Sequence, residues 1–276
     1  MISNLTTIAC GISLFVAMGI PLIAISLLGI KNRRMGIWSA WILGVLGFVV
    51  TQILIRVPII TVLQSQSFFL AFSQNQPFLY VFTFAFTAGL FELAGRFAVA
   101  KLMQKKLTYK RSLAAGMGHG GIEAIILIGM AYINNLIYIA MINNGTFDTM
   151  VAQAVAAGVD AGQLNMLKET LLTTSPAMFL LGGFERLLTM FCHAGMSMIV
   201  CWGVHTGKAG KCALICLGIH TLLDLTAGIS LLTDTVLSQT MVYTIIYTIL
   251  TMAAILSLKI LLEIRRRWTA ETEVTL

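Results

Sequence analysis

Charge is what this 276-residue chain has least of: Asp, Glu, Lys and Arg together make up 11% of it. An ordinary soluble domain carries about a quarter, so the shortage excludes a water-soluble globular fold. Five cysteines, mostly inside apolar segments, form no CxxC pair and show no disulfide-style spacing. They read as small packing residues. The HExxH helix signature of many zinc proteases is absent. The N-terminus lacks the basic n-region of a cleaved signal peptide, and its apolar run is too long for an h-region. That run is expected to stay as a first membrane span. Neither an internal repeat nor a soluble domain is visible. The net charge of +7 would suggest nucleic acid only if the basic residues gathered on a polar folded face. They stand in short runs between apolar stretches instead, so no nucleic-acid partner is expected.

What is present is apolar: 58% hydrophobic residues and a mean hydropathy of +0.91. Seven runs are long enough for the ~30 Å hydrocarbon core of a bilayer. They lie near 4–30, 36–60, 77–100, 112–141, 176–205, 212–233 and 238–262. The expected fold class is an all-α polytopic membrane helix bundle of seven transmembrane helices. It forms a single integral-membrane domain over 1–276, with core helices at 77–100, 112–141, 176–205 and 212–233. Lys31, Arg33 and Arg34 follow the first run; Lys101, Lys105, Lys106, Lys110 and Arg111 follow the third. Lys208 and Lys211 follow the fifth, Arg265, Arg266 and Arg267 the seventh, and the alternate loops hold just Lys168. The positive-inside rule then places the N-terminus outside and the C-terminus in the cytoplasm. Trp38, Trp41, Trp202 and Trp268 fall near the cytoplasmic ends, as an interfacial belt would. The expected location is a bacterial plasma membrane. An outer loop near 142–175 has helix-like apolar spacing broken at Gly158 and Gly162, which suits a surface helix or a lid; 64–76 forms a second outer loop.

Ionisable groups at membrane depth are costly and are functional candidates by default. Arg56, Glu92, Arg96, Glu123, Glu185, Arg186, Asp224 and, near a span end, Lys259 and Glu263 remain once loop charges are removed, together with His119, His193 and His220. Counting from the basic loops at ~1.5 Å per residue puts Glu92, His119, Glu123, His193, His220 and Asp224 in one layer, ~12–22 Å from the cytoplasmic boundary. His119 and Glu123 are one helical turn apart and point the same way, as do His220 and Asp224. Glu92 and Arg96 share that spacing and suit an internal ion pair. Gly116, Gly120 and Ala124 make a ridge on which a second helix can approach closely. Arg186, Met190, His193 and Ser197 share one stripe of the fifth run. Glu185 and Arg186 lie ~12 Å further out than His193 and suit supporting or structural roles.

Two chemistries fit this set. In one, Glu123 is the general base for a water that His193 helps to hold, while His220, oriented by Asp224, stabilises the oxyanion. That route needs no cofactor, the preferred expectation. In the other, His119, His193, His220 or a carboxylate bind zinc, leaving an open position for water.

The segments GMGHGGIEA (116–124), FERLLTMFCH (184–193) and HTLLD (220–224) resemble the YhfC family of intramembrane proteases. That family is related to the type II CAAX prenyl endopeptidases and to the polytopic scaffold subunit of γ-secretase. In the CAAX relatives the pattern is EExxxR, FxxxH, then HxxxN or HxxxD. His220 and Asp224 fit the third motif; His193 takes the histidine of the second, with Thr189 where the pattern has Phe. Glu92 to Arg96 has the outline of the first with a single Glu, whereas His119 and Glu123 put an acid on the next helix. Glu123 is the expected catalytic acid, since it shares the layer of His193 and His220 and no arginine is expected to claim it. Glu92, Arg96, Glu185, Arg186 and Ser197 are expected in supporting roles.

The resemblance implies a glutamic-type intramembrane endopeptidase acting on a membrane-embedded or lipidated protein or peptide, with the lipid bilayer as its other partner. No CAAX substrate follows from it. A non-catalytic membrane scaffold or chaperone subunit is the alternative. A proton-coupled transporter is a third reading, disfavoured by the lack of paired repeats and broken helices.

Overall fold

The computed structural model describes residues 1–158, 160–228 and 238–274. Among the described residues every regular element is helical. Seven helices there are long and apolar enough to cross a membrane, matching the seven expected runs. They are α1 (Asn4–Lys31), α2 (Ile37–Gln64), α4 (Pro77–Leu102), α5 (Tyr109–Asn144), α8 (Pro176–His205), α9 (Ala209–Gly228) and α10 (Gln239–Val274). Three short helices fill the connections: α3 (Ser67–Asn75), α6 (Phe147–Ala156) and α7 (Ala161–Thr173). The expected end of the sixth run, 229–233, lies outside the described residues.

Two long helices widen where proline demands it. Proline has no N–H, and its ring clashes with the carbonyl four residues back. Pro21 and Pro58 each follow a π-type segment, Phe15–Gly19 in α1 and Val49–Arg56 in α2, which absorbs that clash. A third such segment, Ile125–Gly129, has no proline after it.

Contacts divide the chain into two compact units. The first holds Met1–Ile23 and Glu123–Leu187. Its core gathers Cys10, Tyr132, Ile139, Leu171 and Phe179. Ser13 and Tyr132 both donate to the Phe179 carbonyl, and the Asn143 amide pairs with the backbone of Ile2. Gly158, at φ 89°, ends α6. The expected second break at Gly162 does not occur, because Asp160 caps α7 by accepting from the Gly162 N–H at 2.8 Å.

The second unit holds Ala24–Ile122 and Leu188–Leu276. Small residues let its helices touch backbone to backbone. A Cβ at Gly44 would overlap the Ala115 carbonyl, and one at Gly118 the Trp41 carbonyl, so α2 lies directly on α5. Gly95 and Gly47 do the same for α4 and α2. A Cβ on Gly116 would lie 2.9 Å from the Ala194 Cα, and one on Gly120 2.7 Å from the His193 Cβ. The glycine ridge expected on the fourth run therefore receives α8.

Candidate active site

The polar residues of the second unit meet at one carboxylate oxygen. Glu92 and Arg96 stand one turn apart on α4, and Arg96 donates to Glu92 Oε2 at 2.9 Å. His119 Nε2 from α5 lies 3.0 Å from the same oxygen and His220 Nε2 from α9 2.8 Å. His193 Nδ1 from α8 lies 3.6 Å from it and accepts from Arg96 at 2.6 Å. An ionised carboxylate can only accept, so His119 and His220 donate to it. The imidazoles of His119 and His193 stack with centroids 5.6 Å apart, and Phe48 lies edge-on to His119 at 5.3 Å. Asp224 Oδ2 is 3.3 Å from His220 Nδ1, without hydrogen-bond alignment.

Glu92, Arg96, His119, His193 and His220 are each 6% exposed or less. A lone charge so buried costs several kcal/mol. Among these residues and their neighbours the formal charges of Arg56 and Arg96 balance those of Glu92 and Asp224.

The layer read from sequence spacing thus forms a contact set for Glu92, Arg96, His119, His193 and His220, with Asp224 at its edge. Glu92 does more than pair with its own helix's arginine, the role expected of it. Glu123 accepts from Arg186 at 3.3 Å, and Arg186 also pairs with Glu185. The expectation that no arginine claims Glu123 is corrected, because α5 and α8 bring the two side chains together inside the first unit. Ser197 is buried against Gly116, and its Oγ makes no hydrogen bond among the described residues.

One residue escaped the sequence reading. Gln52 of α2 is buried and donates to the other Glu92 oxygen, Oε1, at 2.7 Å. A neutral amide in an apolar run carries no charge signal. Its one legible clue was Arg56, four residues on and therefore on the same face.

Three imidazoles and a carboxylate are donors that zinc takes. Ligand-capable atoms of Glu92, His119 and His193 lie within 4.8 Å of one another, and His220 Nε2 is closer still to Glu92. The Glu92, His119 and His193 donors fit a divalent cation without any HExxH segment.

Seven apolar helices with a buried carboxylate–imidazole centre define an integral membrane protein that carries a metal-type donor set within its bundle. Residues 15–256 match the family model described as YhfC intramembrane metalloprotease, and the chain belongs to that family. It is 36% identical over 118 residues to the uncharacterized membrane protein YhfC of Bacillus subtilis (strain 168). That stretch covers 42% of this chain and 44% of the relative, under half of each. No solved structure matches the chain.

Proposed function

We propose that the protein is an intramembrane endopeptidase of a bacterial plasma membrane, with Glu92 rather than Glu123 as the reacting carboxylate. It hydrolyses a peptide bond of a membrane-embedded or lipidated protein or peptide. The observation that carries this reading is the single oxygen, Glu92 Oε2, on which histidines from three other helices converge. A structural ion pair needs Arg96 alone.

The family description favours the metal-dependent route over the metal-free one expected from sequence. With a divalent ion bound, His119 and His220 would give up their Nε2 protons and hold it through those nitrogens, with His193 completing the set and Glu92 left as the base. Such an ion supplies Lewis-acid polarisation of the scissile carbonyl. Glu92 takes the proton of the attacking water as general base and passes it to the leaving amine. Among the described residues Arg96 NH1 and Nε have no hydrogen-bond partner, so they are donors for the developing oxyanion. Asp224, beside His220 Nδ1, orients that ring with Nε2 toward Glu92.

The test is cleavage of a panel of transmembrane reporter peptides by the purified protein in liposomes. Glu92→Gln should lose at least about a hundredfold in kcat per folded molecule, the scale of general-base removal, and should melt lower because Arg96 loses its counter-charge. Stripping with a chelator should abolish cleavage, and zinc or cobalt should restore it. An active Glu92→Gln beside an inactive Glu123→Gln would return the catalytic role to Glu123. Cleavage that survives exhaustive chelation would overturn the metal route. A wild type that cleaves no reporter, with Glu92→Gln as competent as wild type in cells, would support a scaffold instead.

A further inference from the structure

Glu92 has two oxygens, and only one faces the histidines. We propose that Gln52 and Arg56 of α2 are positioning residues that fix the Glu92 carboxylate through a two-step hydrogen-bond relay. Gln52 Nε2 donates to Glu92 Oε1 at 2.7 Å and to the Ala88 carbonyl at 3.3 Å. Arg56 NH1 donates to Gln52 Oε1 at 3.4 Å. Arg56 is itself held on α4, donating through NH2 to the Phe84 carbonyl at 2.8 Å and through Nε and NH2 to Thr87 Oγ1 at 3.3 Å.

The relay runs in one sense only. A guanidinium only donates and an ionised carboxylate only accepts. Arg56 therefore takes the amide oxygen of Gln52, and Glu92 takes its N–H. With Oε1 occupied, rotation of the carboxylate about its terminal bond breaks a buried hydrogen bond. Oε2 is left to the three histidines and Arg96.

Local sequence explains why α2 can do this. Pro58 follows the π-type segment Val49–Arg56, which carries both Gln52 and Arg56. Such widened turns re-aim side chains and recur at functional sites. Gly44 and Gly47 bring the same helix against α5 and α4, within reach of one glutamine side chain. A purely structural amide would be satisfied by the Ala88 carbonyl and would not need an arginine to orient it.

The inference rests on Glu92 being the reacting carboxylate, and its test does not depend on cleavage. Full-length protein with 13C-labelled glutamate, in phospholipid nanodiscs and stripped with EDTA, is measured by infrared spectroscopy. The Glu92 carboxylate band is identified by its loss in Glu92→Gln. Gln52→Met should shift that band, Arg56→Met should shift it less in the same direction, and the double variant should go no further than Gln52→Met alone. This non-additivity is what a shared chain of contacts produces. A band unmoved by Gln52→Met, or shifts that simply add, would overturn the relay. Where Gln52→Met does not fold, Gln52→Asn, one methylene too short to reach Glu92, should shift the same band, and an unmoved band there would overturn the relay equally.

With an active reporter assay, Gln52→Met should lower kcat about ten- to a hundredfold at unchanged KM, the scale of a misplaced catalytic group. Unaltered kcat per folded molecule would reduce Gln52 to a packing residue. A wild type that cleaves nothing would defeat the proteolytic reading and leave the infrared result to judge the relay.

Discussion

Arg186 stands between two carboxylates, Glu123 and Glu185, in the first unit. The Arg186 and Glu123 side chains are largely buried, at 11% and 12% exposure. Removing one partner from such a pair leaves charge that the interior solvates poorly, at a cost of about 3–5 kcal/mol. Arg186→Met should therefore lower the unfolding temperature in detergent, and adding Glu123→Gln should restore part of it. Activity per folded molecule should persist in the double variant. Inactive but fully stable Arg186→Met protein would show instead that this triad takes part in the chemistry. Charge alone could not separate Glu123 from Glu92, since both are membrane-depth glutamates one turn from a partner. They differ in what other helices bring to them.

Helices α5 and α8 meet at glycine. A Cβ on Gly120 would sit 2.7 Å from the Cβ and 3.2 Å from the Cγ of His193, so a larger residue must displace that imidazole or separate the helices. Gly120→Leu should reduce cleavage about a hundredfold, the effect of an ångström-scale misplacement, while Gly210→Leu should be neutral. Gly210 has open space at its Cβ position and serves as the control. Equal activity of both variants would show that the close approach does not place His193. The small-residue ridge was legible as a four-residue spacing; its partner helix was not, because spacing describes one surface and a contact needs two. The widened turn of α2 was also invisible to hydropathy, although Pro58 marks where it ends.

For the whole molecule, the alternation of basic and non-basic connections remains a strong argument about orientation. Lys and Arg cluster at the C-terminal ends of α1 and α4, after α8 and within the C-terminal part of α10, and positively charged segments stay on the cytoplasmic side. A fluorescent protein fused at the C-terminus should therefore fluoresce, and a periplasmic alkaline phosphatase fused there should be inactive. The same phosphatase inserted in the 64–76 connection should be active. The reverse pattern would invert the bundle and place the centre nearer the outer face. The helix count could be read from composition because each span needs ~20 apolar residues and nothing else.

Hydropathy, charge placement and helical periodicity determined the seven spans and singled out His119, His193 and His220 as candidates. Each is a property of a chain segment in a slab of hydrocarbon, set by length and by the cost of burying charge. Only the tertiary structure decided that His119 and His220 converge on one oxygen of Glu92, and that Gln52 holds the other. Those outcomes depend on helix rotation and backbone approach, fixed by glycines and a widened turn acting between segments. Residue spacing along one helix does not encode which side chain of another it will meet.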